Sequence, residues 1–400
     1  MFKITNPNID ANEIVEPITP ELEDYNEQLI AMNYTLNKCK NKLDKPYEND
    51  KHNFERATSR MEQSYKIKET LRKQYNVQLP TNALAKMIEA SLDFDFISFA
   101  QNKKLKYFDN ASAPGAFILG MNYLTKQKRI KLDWMASTFI SSSDNTALGD
   151  RYGIMKNHMS QFTTTNTPFN GDTTDTKYLR HIQDTYGGTF DLYTSDLGVE
   201  IPHGKYHLQE QMNARPNLGQ ILFGLLVVRK GGAFFTKQYH HFSTFTMSLI
   251  LIVASSFEEV YLYKPISSKP DNSEVYIVGI NYIGTPDWMI DLMYKKLEEP
   301  WQGDDLAMNF TLPIIAPENF PSKSKKELFE ALEYFASAQC DKLTDNINEY
   351  YRMLDNHEYT PSPEFIAKHV TGLVKQYFAK GKFTRQNKRD YIYTTMAKKH

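Results

Sequence analysis

"GGAFFTKQYHH", residues 231–241, places a lysine at the end of a short apolar run. Gly231-Gly232 read as a turn, and Ala233-Phe234-Phe235-Thr236 as a buried run of β-formers. Lys237 then stands where an interior strand meets the rim of a sheet. Such a lysine either runs out into solvent or works at that rim. The neighbouring segments set the architecture. An apolar helical run, 216–229, leads into this strand, and a second, 243–256, leads out of it into "EVYLYK" (259–264) and "EVYIVGINY" (274–282). Upstream, "KYFDNAS" (106–112), "LDWMAST" (132–138) and "FDLYTSD" (190–196) read as strands. This alternation predicts an α/β fold with helices on both faces of one sheet.

The flanks read differently. In 1–76, Leu22, Tyr25, Leu29, Met32, Leu36, Cys39 and Leu43 recur in steps of three and four, behind a helix-opening Thr19-Pro20. That stripe either packs on its own domain or serves as a seam for a protein partner. Residues 286–400 read as mainly helical and end in a basic tail. The expected organisation is therefore a helical N-terminal extension (1–76), an α/β domain (77–285) and a helical C-terminal extension (286–400).

Net charge is −1, so any nucleic-acid surface has to be a local patch. Residues 1–31 carry seven acids and one lysine, whereas 368–400 carry nine Lys/Arg and one Asp. The tail also holds Tyr377, Phe383, Tyr391 and Tyr393, a mixture suited to single-stranded RNA or, equally, to a solvated terminal helix. Two cysteines, Cys39 and Cys340, stand far apart in no metal-ligand spacing, which argues for a reducing compartment and against a disulfide scaffold. The N-terminus shows no charged start followed by an apolar core. The most apolar runs, "ILFGLLVV" (221–228) and "FTMSLILIVA" (245–254), fall short of the roughly 20 residues that cross a bilayer. A soluble intracellular protein is expected, cytoplasmic and without membrane contact.

An open α/β sheet binds its ligand outside the carboxyl ends of its strands. Asp109 follows the first strand, Asp196 ends "FDLYTSD", Lys237 ends "GGAFFTK" and Glu274 opens the last strand. If that last strand runs antiparallel, all four lie on one rim. The loop "DNASAPGAFILG" is neither GxGxxG nor a P-loop, yet its Pro114-Gly115 turn lets backbone approach a nucleoside-bearing ligand. In "FNGDTTD" (169–175), Asp172 can accept from an adenine amino group or cap a helix. "HGKYHLQE" offers His203, His207 and Glu210 at one-turn spacing, a metal face without a clear third ligand or a loop that touches substrate. His240-His241 line a groove or sit in an exposed loop.

Together these segments carry a resemblance. "FDNASAPGAF" resembles the D-x-x-x-A-P-G-G-F loop that binds S-adenosylmethionine in the FtsJ/RrmJ family of RNA 2′-O-methyltransferases. "FDLYTSDLG", "GGAFFTKQY" and "KPISSKPDNSEVYIV" (264–278) are similar to the family's later motifs, and "TNALAKMIE" (81–89) to the helix with its first catalytic lysine. The likeness covers about 77–285 and is closest to the FtsJ-like methyltransferases of large cytoplasmic DNA viruses.

The resemblance implies a Rossmann-like methyltransferase sheet and a catalytic tetrad of Lys86, Asp196, Lys237 and Glu274. It implies a donor pocket of Asp109, Ser112, Ala113, Pro114, Gly115 and Phe117, with Asp172 toward the adenine. S-adenosyl-L-methionine would be the methyl donor, with no metal required, and RNA the partner, through the cap-proximal nucleotide of capped mRNA. Ribosomal or transfer RNA is the alternative substrate, and an inert interaction subunit the alternative role. Two positions depart from the family pattern: Ala116 replaces the loop's second glycine, and Lys269 the arginine after "KPxxS". A further expectation is that Lys86 lowers the pKa of Lys237 by like charge.

Overall fold

Among the described residues, seven strands form one sheet: β1 (Phe2–Ile4), β2 (Lys104–Asn110), β3 (Lys131–Ala136), β4 (Phe190–Ser195), β5 (Val228–Gln238), β6 (Phe257–Tyr263) and β7 (Val275–Tyr282). Their order is β1-β6-β7-β5-β4-β2-β3. The computed structural model describes residues 1–9, 27–140, 150, 152–202, 205–299, 313–315, 319, 321–358 and 360–392. Strands β2 to β5 are mutually parallel, and β7 runs antiparallel to both β5 and β6. The expected α/β sheet is therefore present, and its last strand has the direction that brings Glu274 to the common rim.

The helices are α1 (Glu27–Lys40), α2 (Asp44–Arg60), α3 (Gln63–Lys73), α4 (Asn82–Asp93), α5 (Ala116–Gln127), α6 (Ile154–Asn157) and α7 (Thr176–Tyr186). They continue with α8 (Gln209–Val227), α9 (Thr244–Ser256), α10 (Asp287–Glu298), α11 (Ser322–Asp355), α12 (Pro363–Ile366) and α13 (Gly372–Ala379). Alternate strand residues face opposite sides. Tyr107, Leu192, Phe235 and Tyr276 pack with Leu84, Ile88, Phe117 and Met121 of α4 and α5. Phe108, Tyr193, Phe234 and Ile277 pack on the other face with α7, α8, α9 and α10. Helix α9 lacks a polar face because the core surrounds it: twelve of its residues are buried. Helix α8 runs through Pro216 and starts at Gln209, seven residues before the expected start.

The N-terminal extension is not purely helical. Its first strand, β1, pairs antiparallel with β6 and closes the sheet edge. Helix α1 packs on α11, with Leu29, Leu36 and Cys39 buried. Leu22, Tyr25 and Thr19-Pro20 lie outside the described residues. Cys39 and Cys340 form a disulfide with Cα atoms 5.6 Å apart, so the expectation of unpaired cysteines is overturned. The pairing also removes the cysteine argument for a reducing compartment. Among the described residues no helix is long and apolar enough to cross a membrane.

The basic tail begins as a largely exposed helix, α13, as one of the two expectations has it, but its rings are not an open array. It returns as a strap across α4 and α5. Tyr377 is fully buried and donates its hydroxyl to the carbonyl of Ala85 at 3.1 Å. Lys380 pairs with Glu89 at 3.2 Å and with Asp93. Tyr123 donates to the Thr384 carbonyl at 2.8 Å, and Tyr391 to the Asn76 carbonyl at 2.8 Å. Phe383 packs on Tyr75 and Tyr377. Tyr393 lies outside the described residues. The aromatic side chains anchor the strap, while Lys382, Arg385, Lys388 and Arg389 stay exposed. Tyr377→Ala should therefore lower unfolding stability by about 3–5 kcal/mol, as for other buried aromatic truncations. Thermal or urea denaturation would read this, and a shift no larger than that of an exposed-residue substitution would contradict the anchoring.

Candidate active site

The register of the sheet gathers the four candidate catalytic residues. Ser195 pairs with Thr236, so Asp196 and Lys237 stand side by side just beyond. Lys237 pairs with Tyr276, two residues after Glu274, so Lys237, Tyr276 and Glu274 share one face of the sheet. Helix α4 lies over that face. The hydroxyl of Thr81 accepts from the Leu84 amide at 3.1 Å and starts the helix, and Lys86 projects onto the rim one turn later.

The side chains then interlock. The Lys86 ammonium donates to both carboxylate oxygens of Glu274 at 2.9 and 3.0 Å and lies 3.8 Å from Asp196 Oδ2. Lys237 Nζ donates to the Asp196 carbonyl at 2.8 Å and sits 3.4 Å from Asp196 Oδ1. Tyr276 donates to Asp196 Oδ1 at 2.8 Å, its ring 5.3 Å from Lys86 Nζ and stacked on Phe235 at 4.4 Å. Ser268 donates to Glu274 Oε1 at 2.7 Å. Lys264 Nζ donates to the carbonyls of Asn272 and Glu274 at 2.8 Å each, which closes the 264–274 loop. Ser268, Tyr276 and Lys264 were not singled out from the sequence, although all three stand in the quoted "KPISSKPDNSEVYIV" segment.

Burial penalises every charge here, and the partners decide which survive. Burial alone would raise the carboxyl of Glu274, but Lys86, Lys237 and Lys264 outweigh it and bring it down to about 2. Burial likewise opposes the ammonium of Lys237, yet Asp196, Tyr239 and Glu274 together hold its pKa above the ordinary lysine value. The expected lowering by Lys86 does not operate in this state, because Glu274 binds that ammonium with both oxygens. Lys264 has weaker compensation, and burial brings it down to about 8.

The loop after β2 brings the candidate donor-pocket residues together. Asp109 is buried, accepts from Thr194 Oγ1 at 2.7 Å, and is pushed up to about 8, mainly by burial. The Ser112 amide donates to the Ser137 carbonyl at 3.0 Å. Its hydroxyl and the side-chain oxygen of Asn110 are buried without a hydrogen-bond partner among the described residues. Ala113 and Pro114 are joined by a cis peptide. Gly115 has φ +95°, and a Cβ there would lie 2.6 Å from Ile154 Cδ1, so this position needs glycine. Ala116 is the first residue of α5, in ordinary helical backbone, so its departure from the family's glycine falls where no special conformation is required. Phe117 is buried beside Phe235, ring centroids 5.8 Å apart.

Asp172 sits apart from the tetrad in the turn after Gly171. Its Oδ1 accepts from the amide and hydroxyl of Thr174, both at 2.8 Å, and Oδ2 has no protein hydrogen-bond partner among the described residues. Asp175, not Asp172, caps α7. Lys269 forms an ion pair at 2.8 Å with the buried Glu62, tying the 264–274 loop to the N-terminal extension. His203 lies outside the described residues, and the carboxylate of Glu210 is occupied by the amides of Phe242 and Ser243 at 3.0 and 2.9 Å. His240 and His241 are buried, not in an exposed loop. His241 Nε2 is 2.8 Å from the Leu328 carbonyl oxygen.

Residues 79–282 match the family model described as FtsJ-like methyltransferase. The African swine fever virus protein named "Probable methyltransferase EP424R" is 36% identical over 219 residues, covering 52% of this chain and 50% of that protein. Mouse "Cap-specific mRNA (nucleoside-2'-O-)-methyltransferase 2" is 28% identical over 341 residues, covering 81% of this chain and 42% of that protein. The chain spans about half the length of the curated relatives it matches. Among solved structures, a ribosomal RNA methyltransferase from Plasmodium falciparum is 18% identical, with 51% of this chain and 98% of that one covered at a TM-score of 0.33.

The electrostatics of the rim yield a direct test. Followed by carbon NMR of its side chain, Lys237 should titrate above about 10.4, the ordinary lysine value. Asp196→Asn removes the largest of the contributions that raise it while burial remains, so the titration should move to lower pH. An unmoved titration would mean that Asp196 does not hold the charge.

Proposed function

This chain belongs to the FtsJ-like methyltransferase family, and from that membership we propose that it transfers a methyl group from S-adenosyl-L-methionine to a ribose 2′-OH of RNA. The methyltransferase domain would be residues 77–285, between the extensions 1–76 and 286–400. The observation that carries the reading is the interlocked rim of Lys86, Asp196, Lys237 and Glu274 on one face of the sheet. The loop after β2 fits the donor: the buried oxygens of Ser112 and Asn110 stand next to Asp109 and have no hydrogen-bond partner among the described residues. Asp109, Ser112, Ala113, Pro114, Gly115 and Phe117 would hold the donor's nucleoside and methionine parts, with Asp172 Oδ2 toward the adenine amino group. When bound, the donor supplies an electrophilic sulfonium methyl, which needs no metal activation.

Each rim residue then has a task. The ribose oxygen must be held in line with the methyl group in near-attack geometry. Lys237 orients that oxygen and receives its proton as the O–H bond breaks, the O–C bond forms and the C–S bond of the donor breaks. Lys237 must be neutral to accept a proton, so turnover should rise with pH. Asp196 holds Lys237 in place through its backbone carbonyl and its side chain. The Lys86–Glu274 pair supplies a fixed donor and acceptor for the ribose hydroxyls. Tyr276 and Ser268 keep those carboxylates from turning away.

The cap-proximal nucleotide of mRNA is the proposed target. Supporting it, the likeness to the mouse cap-specific protein extends over 341 residues, well past the family match and into the extensions. A protein partner held through the extensions and a cytoplasmic site of action belong to the same proposal.

Lys237→Ala should fold and bind the donor like the wild type but lose methyl transfer by about 10²–10⁴-fold, the usual loss for a proton-transfer group. Calorimetry with the donor and its demethylated product, alongside transfer of labelled methyl to matched capped and uncapped RNAs, would check this. Nuclease mapping should find the label in the cap-proximal fragment. Near-wild-type turnover in Lys237→Ala would remove it from the reaction, and equal labelling of uncapped RNA would point to ribosomal or transfer RNA.

A further inference from the structure

Behind the rim lies a narrow polar cavity that none of the roles above employs. It shares a wall with the candidate catalytic residues through Tyr239, two residues past Lys237, and Ser273, the residue before Glu274. The other walls include Lys40 at the end of α1, His207 just before α8, Glu210 and Gln211 at its start, and His240. Lys40 stands outside the family match of residues 79–282, so the N-terminal extension itself reaches the back of the site.

The polar groups lining this cavity are incompletely matched by protein. His240 is 3% exposed, and neither of its ring nitrogens has a hydrogen-bond partner among the described residues. Gln211 Oε1 is likewise buried without one. Buried polar groups are nearly always paired, so an unpaired imidazole calls for a ligand or water. Burial and the nearby cations Lys264 and Lys40 keep that imidazole neutral, with one N–H to give. The charge balance narrows the ligand further. Glu210 is the cavity's carboxylate, and Ser243 and Phe242 already occupy its oxygens. Among the described residues Lys40 has no carboxylate within ion-pair distance, and burial holds its ammonium down to about 8 despite Glu210 nearby. The cavity therefore offers a half-buried cation and a neutral N–H donor, beside a carboxylate whose oxygens are already held by Phe242 and Ser243.

We infer that this cavity receives an RNA phosphate that flanks the reacting ribose, bound by Lys40 Nζ and the His240 N–H. The inference rests on the RNA 2′-O-methyltransferase reading and adds to it a recognition contact from the N-terminal extension. Phosphates stand directly beside a ribose along the strand, so a cavity bordered by Tyr239 and Ser273, next to the rim residues Lys237 and Glu274, is within their reach. Lys40, on a flexible four-carbon stem at the end of a helix, is the adjustable side of the cavity. Holding the strand by phosphate at this point fixes its register without reading a base.

The test measures binding of a short capped oligoribonucleotide over a range of salt, with the full chain. Lys40→Gln should weaken affinity about tenfold, as for the loss of one charge-assisted hydrogen bond. It should also make the slope of log affinity against log salt shallower by about 0.7, the share of one phosphate contact on a single strand. Lys40→Arg should keep the wild-type slope. Lys38→Gln, an exposed neighbour on the same helix, should match the wild type in both. Donor binding by calorimetry verifies that each variant is folded. Unchanged affinity and slope in Lys40→Gln, or equal losses in Lys38→Gln and Lys40→Gln, would overturn the inference while wild-type methyl transfer still stands. Wild-type protein that transfers no methyl to any RNA would overturn the parent reading instead.

Discussion

The antiparallel pairing of β7 with β5 is the constraint on which the site depends. Had β7 run parallel, Glu274 would lie at the opposite edge of the sheet from Lys237, a strand length away. With the observed register, Lys237 faces Tyr276, and Glu274 lies two residues further along the same face. The parallel pairing of β4 with β5 then sets Asp196 beside Lys237. One helix, α4, completes the set by laying Lys86 across that face. The geometry of the rim thus follows from strand direction and a period of two, before any side chain chooses a rotamer.

Holding two lysines and two carboxylates at such a rim is expensive unless each is matched. Lys86 and Glu274 are both nearly buried, and removing one member of such a pair typically costs about 3–5 kcal/mol because the other charge is stranded. The surrounding donors distribute that charge. Ser268 and Lys86 share Glu274, while Tyr276, Lys237 and Lys86 share Asp196. The result is a fixed arrangement of charge facing the carboxyl ends of the strands, where a polar substrate meets it without prior reorganisation. The same low-dielectric surroundings act in the opposite sense on Asp109, which has no ion-pair partner among the described residues and is pushed up to about 8.

Much of this was legible in the sequence. Strands β2 to β4, β6 and β7 were readable within a few residues because each is a short β-forming run bounded by turn residues or by a helical period, whereas β5 starts at Val228 and runs through Gly231-Gly232, which read as a turn. Asp196, Lys237 and Glu274 could be placed on one rim from strand ends alone, given an assumed direction for β7. Lys86 could not, since nothing local distinguishes it from any other helical lysine; it entered only through the family resemblance. Strand β1 was missed because three residues carry no period and their partner, β6, is some 256 residues away. Cys39 and Cys340 are separated by 301 residues, so no spacing rule could pair them. The strap was misread because composition counted its charges, whereas its attachment depends on the hydroxyls of Tyr377 and Tyr391 and on backbone carbonyls. The helical run expected from 216 in fact begins at Gln209 and passes through Pro216.

The strap also sets the order in which the protein can be finished during synthesis. Glu89 is fully buried on helix α4, and Lys380, which pairs with it and with Asp93, lies 287 residues beyond Asp93. Tyr377 donates to the Ala85 carbonyl of the same helix from the same distant segment. A nascent chain that has already emitted the whole sheet, from β2 to β7, can hold Glu89 by the amides of Ile266 and Ser267 but still lacks its Lys380 counter-charge and leaves a flank of α4 uncovered. Contacts of such long sequence separation form late and slowly. The helix that bears Lys86 therefore reaches its final environment only after the segment that carries Tyr377, Lys380 and Tyr391 has been made.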